Sequence, residues 1–87
     1  MVSKRATEKL AADRAALAGN WIYANRKAII SWANANGQGG LTFKNKADAY
    51  ASATGNKAAY KGAVDAFTAV ELTYYKDKEL TIGDLLA

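Results

Sequence analysis

The stretch KRATEKLAADRAALAGNWIYANRKAIISWANA, residues 4–35, decides the fold expected for this chain. On a helical wheel of 100° per residue its main apolar positions fall within one arc of about 160°. The members of this arc are Leu10, Ala11, Leu17, Ala18, Trp21, Ile22, Ala28, Ile29, Trp32 and Ala33. The phase of the arc is kept across Gly19, so we favour one helix of about 45–50 Å. Two shorter helices hinged at Gly19 and Asn20 are the alternative, and in both Trp21 and Trp32 are expected to be substantially buried.

The rest of the chain predicts shorter helices, because 20 of the 87 residues are Ala and none is Pro. We place them at 46–54, 57–76 and 82–87, with Gly55 ending one helix and capping signals at Asn45 with Asp48 and at Thr81 with Asp84. The helix at 57–76 carries a second apolar stripe, made of Ala59, Tyr60, Ala63, Val64, Phe67, Val70, Tyr74 and Tyr75.

Residues 41–43 and 80–82 have the same alternating form, which allows two interpretations. They pair as a minor two-stranded ribbon, or they plug the ends of the helical body. The fold class expected is mainly α: one domain over residues 1–87, a small helical bundle or hairpin with a long N-terminal helix.

Composition excludes several kinds of chemistry. The chain has no His and no Cys, so it lacks an imidazole base, a thiolate nucleophile, a disulfide framework and a zinc-type ligand set. Its serines have no His to activate them, and its eight carboxylates form no recognisable acid–base pair. We therefore expect no catalytic residue, no cofactor and no metal.

Two surface features of the first helical region suggest contacts with other molecules. Four apolar positions lie outside the main arc on a shared flank and predict a contact strip for a protein partner or a second copy of the chain; they are Ala12, Ala16, Tyr23 and Ile30. The alternative is that helix 46–54 covers them. Three basic side chains point away from the arc as a cationic ridge, made of Arg5, Lys9 and Lys27. This ridge fits nucleic acid or an acidic protein surface, or it is an ordinary solvated face.

Two charged residues fall on apolar faces of the predicted helices. Arg14 lies on the first arc and Glu71 on the second stripe. An ion pair between them would fix the register of the two helices. The interpretation we favour is that both side chains reach the rim of the bundle and keep their charged ends in water.

The function expected is that of a non-catalytic protein-interaction module. The type of protein expected is a small accessory or inhibitory protein that acts on another macromolecular complex, for example a phage-type modulator of a host system such as an anti-CRISPR. The alternative is a small basic nucleic-acid-binding protein, since the net charge is +4 and the isoelectric point about 9.4. The charges in the first twenty residues predict no secretory signal, and we expect no membrane span and a cytoplasmic location.

Overall fold

A computed structural model describes residues 2–87, and it is mainly α-helical. Over these residues the chain forms six helices and no strand. They are α1 (Lys4–Ala16), α2 (Trp21–Ala24), α3 (Arg26–Ala35), α4 (Phe43–Thr54), α5 (Lys57–Lys76) and α6 (Ile82–Leu86).

The long N-terminal helix is interrupted, so our preference for continuity is wrong. One break falls at Gly19 and Asn20, as in the hinged alternative, and a second at Asn25 divides the remainder into α2 and α3. The Asn20 side-chain oxygen accepts hydrogen bonds from the backbone N–H groups of Ile22 and Tyr23, at 3.0 and 3.2 Å. In a continuous helix those two N–H groups would bond to carbonyls four residues earlier. Asn20 therefore caps a new helix. Its amide nitrogen also donates to the carbonyl of Ala63 at 2.9 Å, which fixes the new helix on α5.

The later helices begin and end at their local signals. Gly55 has φ of 74° and closes α4 in the left-handed conformation that Gly adopts without strain. Helix α5 spans the predicted residues, and α6 starts with a capping box between Thr81 and Asp84. The start of α4 is earlier than expected, because Thr42 rather than Asn45 is its cap and accepts from the Asn45 N–H at 3.3 Å.

The two-stranded ribbon is not formed. Phe43 and Ile82, which would have paired in it, are instead the first residues of α4 and α6. The threonine before each of them, Thr42 and Thr81, uses its hydroxyl to cap the helix that follows. The alternation of these segments therefore reflects helix starts, in which a cap residue lies between two apolar ones.

Buried side chains from every helix meet in one apolar cluster. Phe43 of α4 and Phe67 of α5 lie at its centre with ring centroids 5.4 Å apart. Trp21 and Trp32 are only half-buried, on either side of Tyr50, at centroid distances of 6.1 and 6.0 Å. The tryptophans of α2 and α3 therefore pack against Tyr50 of α4 at the margin of the core.

Helix α1 is held by a few apolar residues and several polar contacts. Ala6 and Leu17 are buried, whereas most of the helix faces solvent. The Ser3 hydroxyl donates to the Glu79 carboxylate at 3.0 Å, which joins the start of α1 to the segment before α6. In the described part of the chain, no helix has both the length and the apolar character needed to cross a membrane.

Candidate protein-contact surface

The contact strip expected from the sequence is not brought together. Ala12 and Ala16 are exposed on α1, whereas Ile30 lies on α3, half-buried against the core. Tyr23 of α2 is buried, and the Arg26 guanidinium lies 4.2 Å from its ring centroid. The strip depended on a continuous helix, and the break between Leu17 and Asn20 removes the shared flank.

The cationic ridge loses its alignment for the same reason. Arg5 and Lys9 belong to α1, and Lys27 lies beyond the break on α3. Lys9 is also held within the molecule: its ammonium group pairs with Asp13, donates to Thr73 Oγ1 at 2.9 Å and lies 4.8 Å from the Tyr74 ring centroid. Arg5 and Lys27 remain exposed, but on separate helices.

Arg14 and Glu71 do not pair with each other in the described chain. The Arg14 guanidinium donates to the backbone carbonyl of Asp84 and so ties α1 to α6. Glu71 is not at the rim, since only 4% of it is exposed. Its carboxylate accepts a hydrogen bond from the Tyr75 hydroxyl at 3.3 Å. The position of Glu71 on an apolar stripe thus signalled true burial, contrary to our expectation.

The environment of Glu71 penalises its charged form. Burial raises the pKa of its carboxyl group above the ordinary value, because desolvation penalises the charged form. The hydrogen bond from Tyr75 and the charge of Lys44 on α4 act in the opposite direction without cancelling this effect. Among residues 2–87 no cation lies within ion-pair distance of this carboxylate. Glu71 is therefore a buried carboxyl group whose desolvation is only partly offset by a hydrogen bond and a neighbouring charge.

Beside Glu71, α5 exposes two large apolar side chains. Leu72 is 50% exposed and Tyr75 is 60% exposed. They are three residues apart and so lie on neighbouring positions of one helix face. Tyr74 takes the inward position at this level of the helix, and a rotation of about 100° per residue carries Tyr75 out of the core. Our placement of Tyr75 in the buried stripe is therefore wrong.

We call Leu72, Tyr75 and the two residues one turn from Leu72, Thr68 and Lys76, the α5 surface. Thr68 is half-buried, and its hydroxyl oxygen is inaccessible and without a hydrogen-bond partner in the described chain. Lys76 is exposed. Sequence reasoning missed this surface, although Leu72 lies outside the predicted stripe and could have pointed to it.

Other features of the described chain suit a structural role better. The rings of Trp21, Tyr50 and Trp32 pack against one another and so cover much of their own surface. A shallow depression on α4 is lined by Leu41, Asn45, Asp48, Ala49, Ser52 and Lys57. An ion pair between Asp48 and Lys57 joins two of these lining residues. The phenol of buried Tyr74 stays neutral at ordinary pH, because burial and the neighbouring Asp13 raise its pKa to about 12.

Comparison of the chain with models of known protein families, with curated proteins and with solved structures finds no match. The assignment of a function therefore depends on the geometry of the chain's own residues. Of the features described, the α5 surface combines the largest exposed apolar side chains of any helix with a buried polar group directly beside them.

Proposed function

We propose that this chain is a non-catalytic protein-interaction module that binds its partner through the α5 surface. The observation that carries the proposal is the exposure of Leu72 and Tyr75, at 50% and 60%, on adjacent positions of one helix. Isolated exposed apolar residues are common on protein surfaces. Two large ones at neighbouring positions form a contiguous patch, and such patches are typical of interaction sites.

The helix that carries this patch is packed into the core. The core-facing side of α5 supplies Phe67 and Tyr74, and both are at most 2% exposed. A contact surface on a helix that is fixed in this way loses little conformational entropy on binding. Tyrosine suits such a surface because it offers a large contact area with few rotatable bonds, and it is enriched among residues that dominate binding energy.

Burial of Leu72 and Tyr75 against a partner would contribute a useful part of the free energy of binding. Removing a large apolar side chain from water contributes about 1.5–3 kcal/mol. Leu72 and Tyr75 are each about half exposed, so together they would supply roughly one such contribution, and the surrounding rim would set the specificity.

Within this proposal the chain acts as a small accessory or inhibitory protein in the cytoplasm. A phage-type modulator of a host system, such as an anti-CRISPR, is one form that such a protein would take. The exposed apolar side chains of the α5 surface support this role.

Affinity purification from the native cells, with and without nuclease, tests the proposal. Three tagged proteins are compared: the natural chain, the double variant Leu72→Ser with Tyr75→Ser, and the control Ala12→Ser with Ala16→Ser. Both pairs are exposed on helices. Because the loss of Tyr75 also removes the hydrogen-bond donor to Glu71, urea unfolding must first show that each variant is folded under the conditions of the purification. We expect a stoichiometric protein partner that survives nuclease and is lost only with the Leu72 and Tyr75 variant. Retention of the partner by that variant, or its loss on nuclease treatment, would contradict the proposal.

A further inference from the structure

The tyrosines of this chain differ in what lies over their rings. Three of them carry a cation from the same chain, with Arg26 over Tyr23 at 4.2 Å, Lys9 over Tyr74 at 4.8 Å and Lys57 over Tyr60 at 5.4 Å. Tyr50 packs instead between two tryptophans. Over residues 2–87, Tyr75 is the tyrosine whose ring has neither kind of neighbour, although its side chain is 60% exposed. The ring of Tyr75 can therefore accept a cation from another molecule, as three other tyrosines accept one from this chain.

The hydroxyl of Tyr75 makes this open ring more attractive to a cation. It donates a hydrogen bond to the Glu71 carboxylate at 3.3 Å. Donation to an anion shifts electron density from the O–H bond toward the ring, and a cation over an aromatic face is held by that density. The carboxylate is itself buried and has no ion-pair partner in the described chain. Its negative charge is therefore poorly screened by solvent and acts on whatever covers Tyr75.

We infer that the α5 surface binds a basic side chain of a protein partner, with its charged group over the Tyr75 ring and its aliphatic stem against Leu72. This inference rests on the proposed function and adds the chemistry of the occupant. Arginine fits better than lysine, because its planar guanidinium stacks on aromatic faces and loses its hydration more easily.

Nearby charges set the strength of this contact. Asp65, two turns before Leu72 on the same face, adds a second negative charge at one end of the surface. Lys76 follows Tyr75 and opposes the incoming cation, whereas Lys44 on α4 lowers the pKa of Glu71 and so favours its charged form. The chain carries a net charge of +4, which means that the attraction is local and does not steer a basic partner from a distance.

Selection of random peptides displayed on phage against the full chain tests the inference. Peptides that also bind the Leu72→Ser, Tyr75→Ser double variant are discarded, and the remainder are sequenced. We expect an enriched motif that contains arginine next to an apolar residue. Its synthetic peptide should lose about tenfold or more in affinity for Tyr75→Ser, which corresponds to about 1.4 kcal/mol.

Two single variants then give opposite changes in the affinity of that peptide. Glu71→Gln removes the buried negative charge and keeps an acceptor for Tyr75, so affinity should fall about threefold to tenfold. Lys76→Ala removes a competing cation from the α5 surface itself, so affinity should rise about twofold to threefold. A purely structural role for Glu71 would not produce this reversal of sign.

The outcomes separate the two ideas. An acidic motif that depends on Leu72 and Tyr75, or a loss of affinity in Lys76→Ala, would overturn the basic occupant and leave the interaction surface standing. Failure to enrich any peptide that depends on these two residues would contradict both the occupant and the proposed surface.

Discussion

The Tyr75 hydroxyl donates to the Glu71 carboxylate across one turn of α5, so that a residue 60% exposed partners one that is 4% exposed. Burying a charged group without a partner is energetically costly. The hydrogen bond from Tyr75 offsets part of the cost of burying the Glu71 carboxylate. The pair links the stability of α5 to the face that we propose binds a partner.

The stability of the domain should depend on the protonation of Glu71. Its folded pKa is raised above the ordinary value of 4.5, so ionisation destabilises the fold. Lys44 and the hydrogen bond from Tyr75 act against this rise without cancelling it. This destabilisation is absent below pH 4.5, grows as pH rises to the folded pKa and is complete above it. The free energy of unfolding of Glu71→Gln minus that of the natural chain should follow this course. A difference that is constant from pH 4 to pH 8 would contradict the buried charge.

Tyr75→Phe should destabilise the domain even though the side chain is mostly exposed. The change removes the hydroxyl donor and leaves the Glu71 carboxylate without a hydrogen bond, which typically costs about 1–3 kcal/mol for a buried acceptor. Urea unfolding at pH 7 measures the loss. In a Glu71→Leu background the same Tyr75→Phe change should be nearly neutral, and equal losses in the two backgrounds would show that the pair is not coupled.

Phe67 and Trp32 should contribute unequally to stability. Phe67 is fully buried against Phe43, so Phe67→Ala should cost about 3–5 kcal/mol through lost burial and the cavity it leaves. Trp32 is half-buried beside Tyr50, and Trp32→Ala should cost less, about 1–3 kcal/mol. Denaturant unfolding of both variants decides the order. A larger loss for Trp32 would return it to the core, where the sequence placed it.

Asn20 should matter more than Asn56, although both precede a helix. Asn20 caps α2 through two backbone N–H groups and also bonds to Ala63, whereas the Asn56 side chain makes no cap bond to α5. Asn20→Ala should therefore cost about 1–2 kcal/mol, and Asn56→Ala about 0.5 kcal/mol or less. Thermal unfolding of the two variants provides the comparison, and equal losses would mean that the helix break is not maintained by Asn20.

Local signals explain which parts of the fold were predictable. Gly55 at a left-handed position, the Thr81 and Asp84 capping box and the stripe of α5 each act within a few residues, and the structure follows them. The break before Trp21 was harder to predict, because Gly19 in a helix costs only about 1 kcal/mol. The choice depends on a contact from Asn20 to Ala63, 43 residues away in the chain.

The sequence predicted that the chain has a surface for a protein partner, but the residues to which it assigned that surface do not lie together in the fold. The contact strip and the cationic ridge both extended one helical phase across residues 17–20, so the break separated their members. Glu71 was noticed as a charge on an apolar stripe, yet its burial followed from α4 packing beside it. Tyr74 and Tyr75 are adjacent, and sequence alone did not say which ring turns inward.

Photo-crosslinking in the native cells tests the contact surface most directly. Benzoylphenylalanine replaces Tyr75 in one protein and exposed Ala12 in a matched control, and the adducts are identified after nuclease treatment. The proposed function predicts a discrete protein adduct from position 75 that excess natural chain competes away, with none from position 12. An adduct from position 12 alone, or adducts to nucleic acid from position 75, would contradict it.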